Sequence, residues 1–170
     1  MIHEFKDFPY EKTGAGLCGP RALQVVYNYH LGATQDQMRI ANDVGWSQEY
    51  GTHPKEMCAH LIHNRLGICE FFGARFEDLT EFVNNPDYAV IVDFWDSANQ
   101  SEDGEDCGHY DVPTMIIYDR IHFVDGTSYT KQEFMDRWHD YEKNDKGERI
   151  RFDQYFIATY NPKYDRKKIN

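Results

Sequence analysis

The stretch that decides the fold reads Thr13-Gly14-Ala15-Gly16-Leu17-Cys18-Gly19-Pro20-Arg21-Ala22-Leu23. A cysteine stands here between a glycine-rich loop and a long apolar run. Pro20 suits the first turn of a helix, because its fixed φ is helical and its missing N–H needs no partner there. Cys18 is then expected at the helix N-terminus, where unpaired N–H groups and the helix dipole lower a thiol pKa. The stretch predicts a nucleophilic cysteine, with a buried structural cysteine as the alternative.

The composition is typical of a single globular domain. The chain has 170 residues, 41% of them apolar and 15% aromatic, which is enough for a sizeable core. We assign residues 1–160 to one domain and residues 161–170 to a C-terminal tail. No apolar run approaches the roughly 18 residues of a membrane span, and the first residues lack the apolar stretch of a secretion signal. A cytoplasmic protein with no membrane partner is therefore expected.

The cysteines, histidines and net charge argue against several other classes of protein. The four cysteines include no Cys-x-x-Cys pair, which disfavours a disulfide framework and a zinc ribbon. The net charge of −11 disfavours nucleic acid as a partner. A metal site is an alternative role for His53, Cys58, His60 and His63, which cluster on one predicted helix, but nothing nearby completes a ligand set. We therefore expect neither a metal nor a cofactor.

The order of the predicted elements indicates an α+β fold. Periodicity and capping residues predict helices over residues 18–30, 34–44, 52–66, 76–84 and 130–138. Apolar runs predict strands over residues 68–72, 88–95, 109–118, 121–125 and 152–160, with an acidic loop over 96–108 and a turn over 144–147. Helices first and an antiparallel sheet afterwards give an α+β domain, with strand 88–95 at the centre of the sheet.

Local signals mark the expected helix ends. Thr34 and Thr130 each open a sequence typical of a capping box. Gly32 is expected to end the first helix, and Gly67 is expected to follow the third helix in the C′ position.

An activated cysteine needs a base, and the base needs a group that orients it. Of the eight histidines, His109 is the best placed, because it follows Gly108 and begins a predicted strand. Asp125 ends the next predicted strand, and neighbouring antiparallel strands can hold a histidine and an aspartate side by side. Taken separately, His109 could be an ordinary loop histidine and Asp125 part of an ordinary turn.

The order of these residues resembles a known family. The run Cys18-Gly19-Pro20-x-Ala22-Leu23-x-x-Val26-x-x-Tyr29-x-x-Gly32 resembles the papain-like cysteine peptidases of the bacteriocin-leader-processing type and their free-standing relatives. Four further segments are similar to that family: Gly51-Thr52-x-Pro54-x-x-Met57, Ala89-Val90-Ile91-Val92, Gly108-His109-Tyr110 and Val124-Asp125-Gly126. The resemblance implies that Cys18 is the nucleophile, His109 the general base and Asp125 the orienting residue. It also implies a papain-like fold, with N-terminal helices packed on an antiparallel β-sheet.

The chain departs from the family pattern in two places. Members of the family usually carry a glutamine a few residues before the cysteine as an oxyanion-hole donor, and this chain has no Gln or Asn before Gln24. The backbone N–H of Cys18 could serve as one donor, with Thr13, Lys12 or a loop N–H as another. The strand after the histidine is interrupted by Asp111 and Pro113, and a proline restricts a strand to a sheet edge or a bulge.

These residues lead to a functional expectation. We expect a cysteine hydrolase, a peptidase or amidase, that acts through a Cys-His-Asp triad and an acyl-enzyme on a peptide or amide substrate. Gly16, Gly108 and Tyr110 are the candidate substrate-binding residues. Acyl transfer is possible at the same site if an amine or thiol competes with water. The alternative is a catalytically inactive papain-like module that binds a peptide or a partner protein.

Overall fold

The chain folds into helices packed against antiparallel sheets, which is the predicted α+β class. The computed structural model describes residues 16–48, 51–100, 106–143 and 149–165. Its helices are α1 (Cys18–Leu31), α2 (Gln37–Asp43), α3 (Pro54–His63), α4 (Phe76–Val83), α5 (Lys131–Arg137) and α6 (Pro162–Asp165). Its strands are β1 (Gly67–Phe71), β2 (Tyr88–Gln100), β3 (Asp106–Asp111), β4 (Pro113–Ile117), β5 (Arg120–Phe123), β6 (Ser128–Thr130), β7 (His139–Lys143), β8 (Arg149–Asp153) and β9 (Phe156–Tyr160).

A four-stranded antiparallel sheet forms the centre of the fold, with the strand order β1-β9-β2-β3. The apolar strand β2 lies between β9 and β3, so its predicted central position is confirmed. Strands β4, β5 and β6 form a second sheet, and β7 pairs with β8. None of the described helices has the length and apolar character needed to cross a membrane.

Buried side chains cover both faces of the four-stranded sheet. Ile91 of β2 belongs to the cluster that includes Leu23 of α1, whereas Val92 and Phe94 belong to the cluster that includes Phe134 of α5. Successive side chains of a strand point to opposite faces. Because cross-strand partners share a face, the register of β2 and β3 places Asp93 and Tyr110 on the α1 face, and Phe94 and His109 on the α5 face.

Helix α1 begins and ends where the sequence predicts. It starts at Cys18, and Pro20 lies in its first turn. Gly32 follows its last residue with φ +64°, and the Gly32 N–H donates to the Asn28 carbonyl. The capping box of α5 is also confirmed, because Thr130 Oγ1 accepts from the Glu133 N–H and Glu133 Oε2 accepts from the Thr130 N–H.

The predicted ends of α2 and α3 were wrong. Helix α2 is capped by Asp36, whose Oδ1 accepts the Arg39 N–H at 2.7 Å, and not by Thr34. Helix α3 ends at His63, and the left-handed residue after it is Arg65, with φ +64°. Gly67 instead begins β1, where the Tyr160 ring lies in the space that a side chain would need.

Several predicted strand and loop boundaries were also wrong. The predicted strand over 109–118 is two strands, because Val112 separates β3 from β4 and the two belong to different sheets. The register shifts between Pro113 and Met115, as expected for a proline in a strand. Strands β2 and β3 extend into the predicted acidic loop as far as Gln100 and Asp106, and residues 101–105 lie outside the described part of the chain.

The last strand is shorter than predicted. It begins at Phe156, while residue 152 belongs to β8. The predicted turn over 144–147 lies outside the described residues. In the predicted tail, Pro162–Asp165 forms a short helix, and residues 166–170 lie outside the described residues.

Candidate active site

Cys18 is the first residue of α1, in the position that the sequence predicts for it. The backbone before it turns at Gly16, which has φ +89°, a conformation that favours glycine. Trp46 Nε1 donates to the Gly16 carbonyl at 2.7 Å and fixes this turn. Gly19, the next residue of the helix, lies so close to Thr52 and Met57 that a side chain there would collide with them. These contacts determine where the cysteine lies.

The sulfur of Cys18 lies against the backbone of β3. It accepts hydrogen bonds from the backbone N–H groups of Tyr110 and Gly19. Burial nevertheless raises the pKa of the thiol from 9.0 to about 11, and the nearby Asp93 carboxylate acts in the same direction. The two N–H groups and the Arg21 charge lower the pKa, but by less than burial raises it. The expectation that the helix N-terminus lowers this pKa was therefore wrong, because desolvation outweighs the dipole.

His109 lies in the middle of β3, next to the residue whose N–H contacts the sulfur. Its ring packs edge-on against Phe94, with ring centroids 5.4 Å apart. Burial lowers the pKa of the imidazole to about 4, and the Arg21 charge contributes in the same direction. The carboxylates of Asp96 and Asp125 oppose this shift. His109 is therefore neutral at pH 7, which is the form that can accept a proton.

Asp111 lies on the same face of β3 as His109, two residues further along the strand. Its Oδ2 is 4.0 Å from His109 Nε2, and its side chain is only 2% exposed. Asp111 Oδ1 accepts the Val112 N–H at 2.7 Å, whereas Oδ2 accepts no hydrogen bond from the described residues. Burial raises the pKa of this carboxyl from 3.8 to about 8, and the Asp125 charge adds to the effect.

From the sequence, Asp111 is recognisable only as an interruption of a predicted strand. The signal that would have identified it is the spacing of two between His109 and Asp111. Alternate residues of a strand share a face, so an acid two residues after a candidate base is expected beside it.

Asp125 follows β5 and forms the turn to β6. Its Oδ1 accepts the Thr127 N–H at 2.7 Å and the Thr127 hydroxyl at 2.6 Å, and Gly126 has φ +87°. Its negative charge raises the pKa of both His109 and Asp111. Asp125 thus acts on His109 through its charge.

Arg21 connects the two halves of the site. It lies one helical turn after Cys18 and is only 7% exposed. Its positive charge lowers the pKa of Cys18, of His109 and of Asp111. The sequence analysis did not identify Arg21 as a site residue, because its position suggests only the polar face of α1.

The candidate substrate-binding residues lie beside this centre. Tyr110 is buried on the α1 face opposite Asp93, and burial raises its pKa well above 10. The Asp140 carboxylate of β7 lies against Gly108 and occupies the space that a side chain on Gly108 would need. Gly16 forms the turn before Cys18, as described above. The remaining candidate for the oxyanion hole, Thr13, lies outside the described residues.

The histidines of α3 make contacts of a different kind. His60 Nδ1 lies 2.6 Å from the Tyr27 hydroxyl, and His60 Nε2 lies 3.7 Å from the Asp43 carboxylate. Within the described residues, no three side chains of the types that ligate metals are arranged to hold an ion.

The fold is shared with solved peptidase structures. The peptidase domain of Streptococcus ComA, a bifunctional ABC transporter involved in quorum sensing, matches with a TM-score of 0.62 and 14% identity, over 88% of this chain and 94% of that one. A double-glycine-motif protease from an AMS/PCAT transporter, solved with the leader peptide, matches with a TM-score of 0.62 and 14% identity, over 90% of this chain and 91% of that one. A Bacillus anthracis protein described as a C39-like peptidase matches with a TM-score of 0.62 and 12% identity, over 93% of this chain and 96% of that one.

The similarity is one of fold, since the sequence identities are only 12–14%. No protein-family profile matches this chain, and no curated protein matches it in sequence. The fold is that of papain-like C39 peptidase domains, with helices packed on antiparallel sheets. The expected fold class and the structural resemblance to these peptidases are thus confirmed.

Proposed function

We propose that this protein is a papain-like cysteine hydrolase, a peptidase or amidase, with Cys18 as nucleophile, His109 as general base and Asp125 as an orienting residue. The observation that carries the proposal is the position of Cys18. It starts a buried helix in a fold shared with cysteine peptidase domains, and its sulfur lies against the backbone N–H of the residue after His109. A nucleophile at a helix start, with a base on an adjacent strand, is the arrangement that acyl transfer needs.

The protonation states define the proposed first step. The pKa of Cys18 is about 11 and that of His109 about 4, so the resting site holds a neutral thiol and a neutral imidazole. Cys18 therefore loses its proton to His109 as the sulfur attacks the substrate carbonyl. His109 gives that proton to the leaving amine, and the acyl group stays on the sulfur. Water then attacks the thioester with His109 as base, the C–S bond breaks to release the acid, and His109 returns the proton to the Cys18 sulfur.

The proposal requires substrate binding to bring the two groups together. In the unbound protein the imidazole packs on Phe94 and lies 4.0 Å from Asp111, while the thiol contacts backbone N–H groups. Catalytic hydrogen bonds are often long in the unbound state and tighten in the substrate complex. The proposal requires His109 to reach the sulfur in that complex.

The proposed oxyanion hole is smaller than in the family that the sequence resembles. The first N–H groups of a helix have no partner within the helix, so the Cys18 N–H can donate to the developing oxyanion. Thr13 is the proposed second donor. Removal of one such donor typically costs about 10²–10³ in rate, so a low turnover is expected if the site relies on the Cys18 N–H alone.

A peptide is the proposed substrate. One of the similar structures is a protease solved in complex with a leader peptide. In this chain, Gly16 and Gly108 lie within two residues of Cys18 and His109, and their backbone is the proposed contact of a peptide. Tyr110 contributes its backbone to the same surface.

A second candidate function is a binding module without catalytic activity. The observation in its favour is the neutral state of the thiol, since burial raises the pKa of Cys18 instead of lowering it. The lack of a Gln or Asn before Gln24 points in the same direction.

Digestion of a proteome-derived peptide library, read by mass spectrometry, separates the two functions. We expect the wild-type protein to cleave a subset of peptides, and expect Cys18→Ala and His109→Gln to abolish cleavage while each variant stays folded. If wild type and Cys18→Ala both bind the same intact peptides and neither cleaves them, the binding module would be favoured. Cleavage that survives in Cys18→Ala would contradict the proposed nucleophile.

A further inference from the structure

We infer that Asp111 is a positioning residue for His109. Its Oδ2 accepts a hydrogen bond from Nε2 of the imidazole, which leaves Nδ1 to exchange the proton with Cys18. The inference deepens the proposed function and rests on it for the role of His109. Three observations carry it, namely the distance, the burial and the available lone pairs of the Asp111 carboxyl.

The geometry favours Asp111 over Asp125 as the nearer partner of the ring. Asp111 Oδ2 lies 4.0 Å from His109 Nε2, and the two side chains are 2% and 12% exposed. A closure of about 1 Å would turn this contact into a hydrogen bond. Asp125 is partly exposed, and its Oδ1 is already hydrogen-bonded twice to Thr127. Its contribution to orienting the ring is therefore through its charge, which raises the pKa of His109, and not through a hydrogen bond to a ring nitrogen.

The burial of Asp111 has no structural benefit that the described residues explain. Its Oδ2 is enclosed by protein and accepts no hydrogen bond from them. A buried polar atom without a partner is costly, and such atoms concentrate at functional sites. A neutral imidazole that is to accept the thiol proton at Nδ1 carries its own proton at Nε2, so the Nε2–H of His109 is the donor that this carboxylate oxygen lacks.

The charged groups around the pair come from several elements, among them β7, which packs on β3 and carries Asp140 against Gly108. Arg21 faces it from α1, Asp96 from β2 and Asp125 from the turn after β5. Arg137 of α5 lies 3.9 Å from Asp96 and over the Tyr129 ring of β6. Below pH 8 the Asp111 carboxyl carries a proton, because its pKa is about 8. The form that accepts the Nε2–H at Oδ2 is therefore the carboxylate, which is present above that pH.

The proton balance of the step is simple. The thiol proton moves from Cys18 to Nδ1 of His109 and later leaves with the amine, while the Nε2–H stays in place. Asp111 neither gains nor loses a proton during turnover. It fixes the ring orientation, as the third group of a triad does.

The test is an NMR titration of the resting protein with its histidine rings labelled at ¹³Cε1, in a Cys18→Ser background that removes the thiol titration. We expect the His109 signal to show two steps, one near pH 4 from the ring itself and one near pH 8 from Asp111. Asp111→Asn should remove the upper step, and the matched variant Asp125→Asn should retain it. An upper step that persists in Asp111→Asn, or that only Asp125→Asn removes, would overturn the inference.

This readout does not depend on activity, so it separates the inference from the proposed function. If peptides are cleaved, the pH profile of kcat/KM should change through pH 8 in the wild type and lose that change in Asp111→Asn. If Asp111→Asn does not fold, the Asp111 carboxyl carbon is titrated in the wild type and in His109→Gln. A different midpoint in the two proteins supports the coupling, and identical midpoints contradict it.

Discussion

Gly19 of α1 and Thr52, which precedes α3, are in such close contact that a Cβ on Gly19 would lie 2.8 Å from the Thr52 Cβ. The same Cβ would lie 3.3 Å from Met57 Sδ. The glycine after the candidate nucleophile is therefore required by packing. The start of α1, and with it the position of Cys18, depends on this contact.

Gly19→Ala should destabilise the fold and displace Cys18. Overpacking of a tight interior contact typically costs about 1–3 kcal/mol, and we expect a loss of that size in the free energy of unfolding measured with urea. The double variant Gly19→Ala/Thr52→Gly removes the colliding group and should recover part of the loss relative to Thr52→Gly alone. Equal effects of Gly19→Ala in the two backgrounds would contradict the packing explanation.

Gly108→Ala should disturb the site from the other side. A methyl group on Gly108 would overlap the Asp140 carboxylate, so β7 must shift or the carboxylate must rotate away. The Trp95 ring stacks on the His139 ring, with ring centroids 5.5 Å apart. This contact holds β7 in place and makes the shift costly. We expect Gly108→Ala to lower the free energy of unfolding by about 1–3 kcal/mol.

The matched control for this prediction is Asp140→Ala. The substitution Gly108→Ala should cost much less in the Asp140→Ala background, and the difference is the coupling energy of a double-mutant cycle. A coupling energy near zero would show that the two residues do not constrain one another.

Asp111→Asn should change how stability depends on pH. The folded-state pKa of Asp111, about 8, lies above its ordinary value of 3.8, so the folded protein holds an extra proton between these values. The contribution of Asp111 to the free energy of unfolding is therefore fully present below pH 3.8 and is lost as the pH rises through 8. His109 acts oppositely below pH 6.5, because its pKa is lowered to about 4 and its stability contribution is lost as the pH falls.

The window from pH 6.5 to 8 thus reports on Asp111 without His109. The free energy of unfolding of the wild type should fall across this window, and Asp111→Asn should flatten the fall. Urea denaturation at four or five pH values measures it, with Asp125→Asn as the control that keeps the wild-type slope. A slope that Asp111→Asn leaves unchanged would rule out the raised pKa.

Cys18 should react slowly with a small alkylating reagent at neutral pH. Because the thiol pKa is about 11, the thiolate fraction and the rate with iodoacetamide should rise about tenfold per pH unit between pH 7 and 10. Mass spectrometry of the Cys18 peptide measures the rate, and a short unstructured cysteine peptide serves as the control, with a profile that levels off above about pH 8.5. A Cys18 rate that is already constant below pH 8 would show an activated thiolate and contradict the burial effect.

Local sequence signals predicted the elements that carry those signals. Helix α1 was predictable because Pro20 and Gly32 act on the backbone at its two ends, and α5 was predictable from the Thr130 capping box. Thr34 failed as a cap for a tertiary reason. Its hydroxyl accepts from Asn28 Nδ2 of α1 at 3.2 Å, and Asp36 caps α2 instead.

The site was predictable only in part, for a similar reason. Cys18 and Asp125 are marked by their places at a helix start and a turn, whereas His109, predicted to begin a strand, lies in the middle of β3. The burial that raises the pKa of Cys18, the position of Arg21 between the two halves and the contact of Asp140 with Gly108 all depend on distant segments. No pattern within one element contains that information.

The most direct test of the proposed hydrolase is alkylation of Cys18 by an electrophile that is carried on a peptide. A library of peptidyl vinyl sulfones, which place an electrophile where a scissile carbonyl would lie, is reacted at pH 7 and read by intact mass and peptide mapping. We expect a single adduct on Cys18 from a subset of the library, formed much faster than the iodoacetamide adduct and slowed strongly by His109→Gln. Labelling that is no faster than by iodoacetamide for every peptide, and equal in His109→Gln, would contradict a catalytic Cys18–His109 pair.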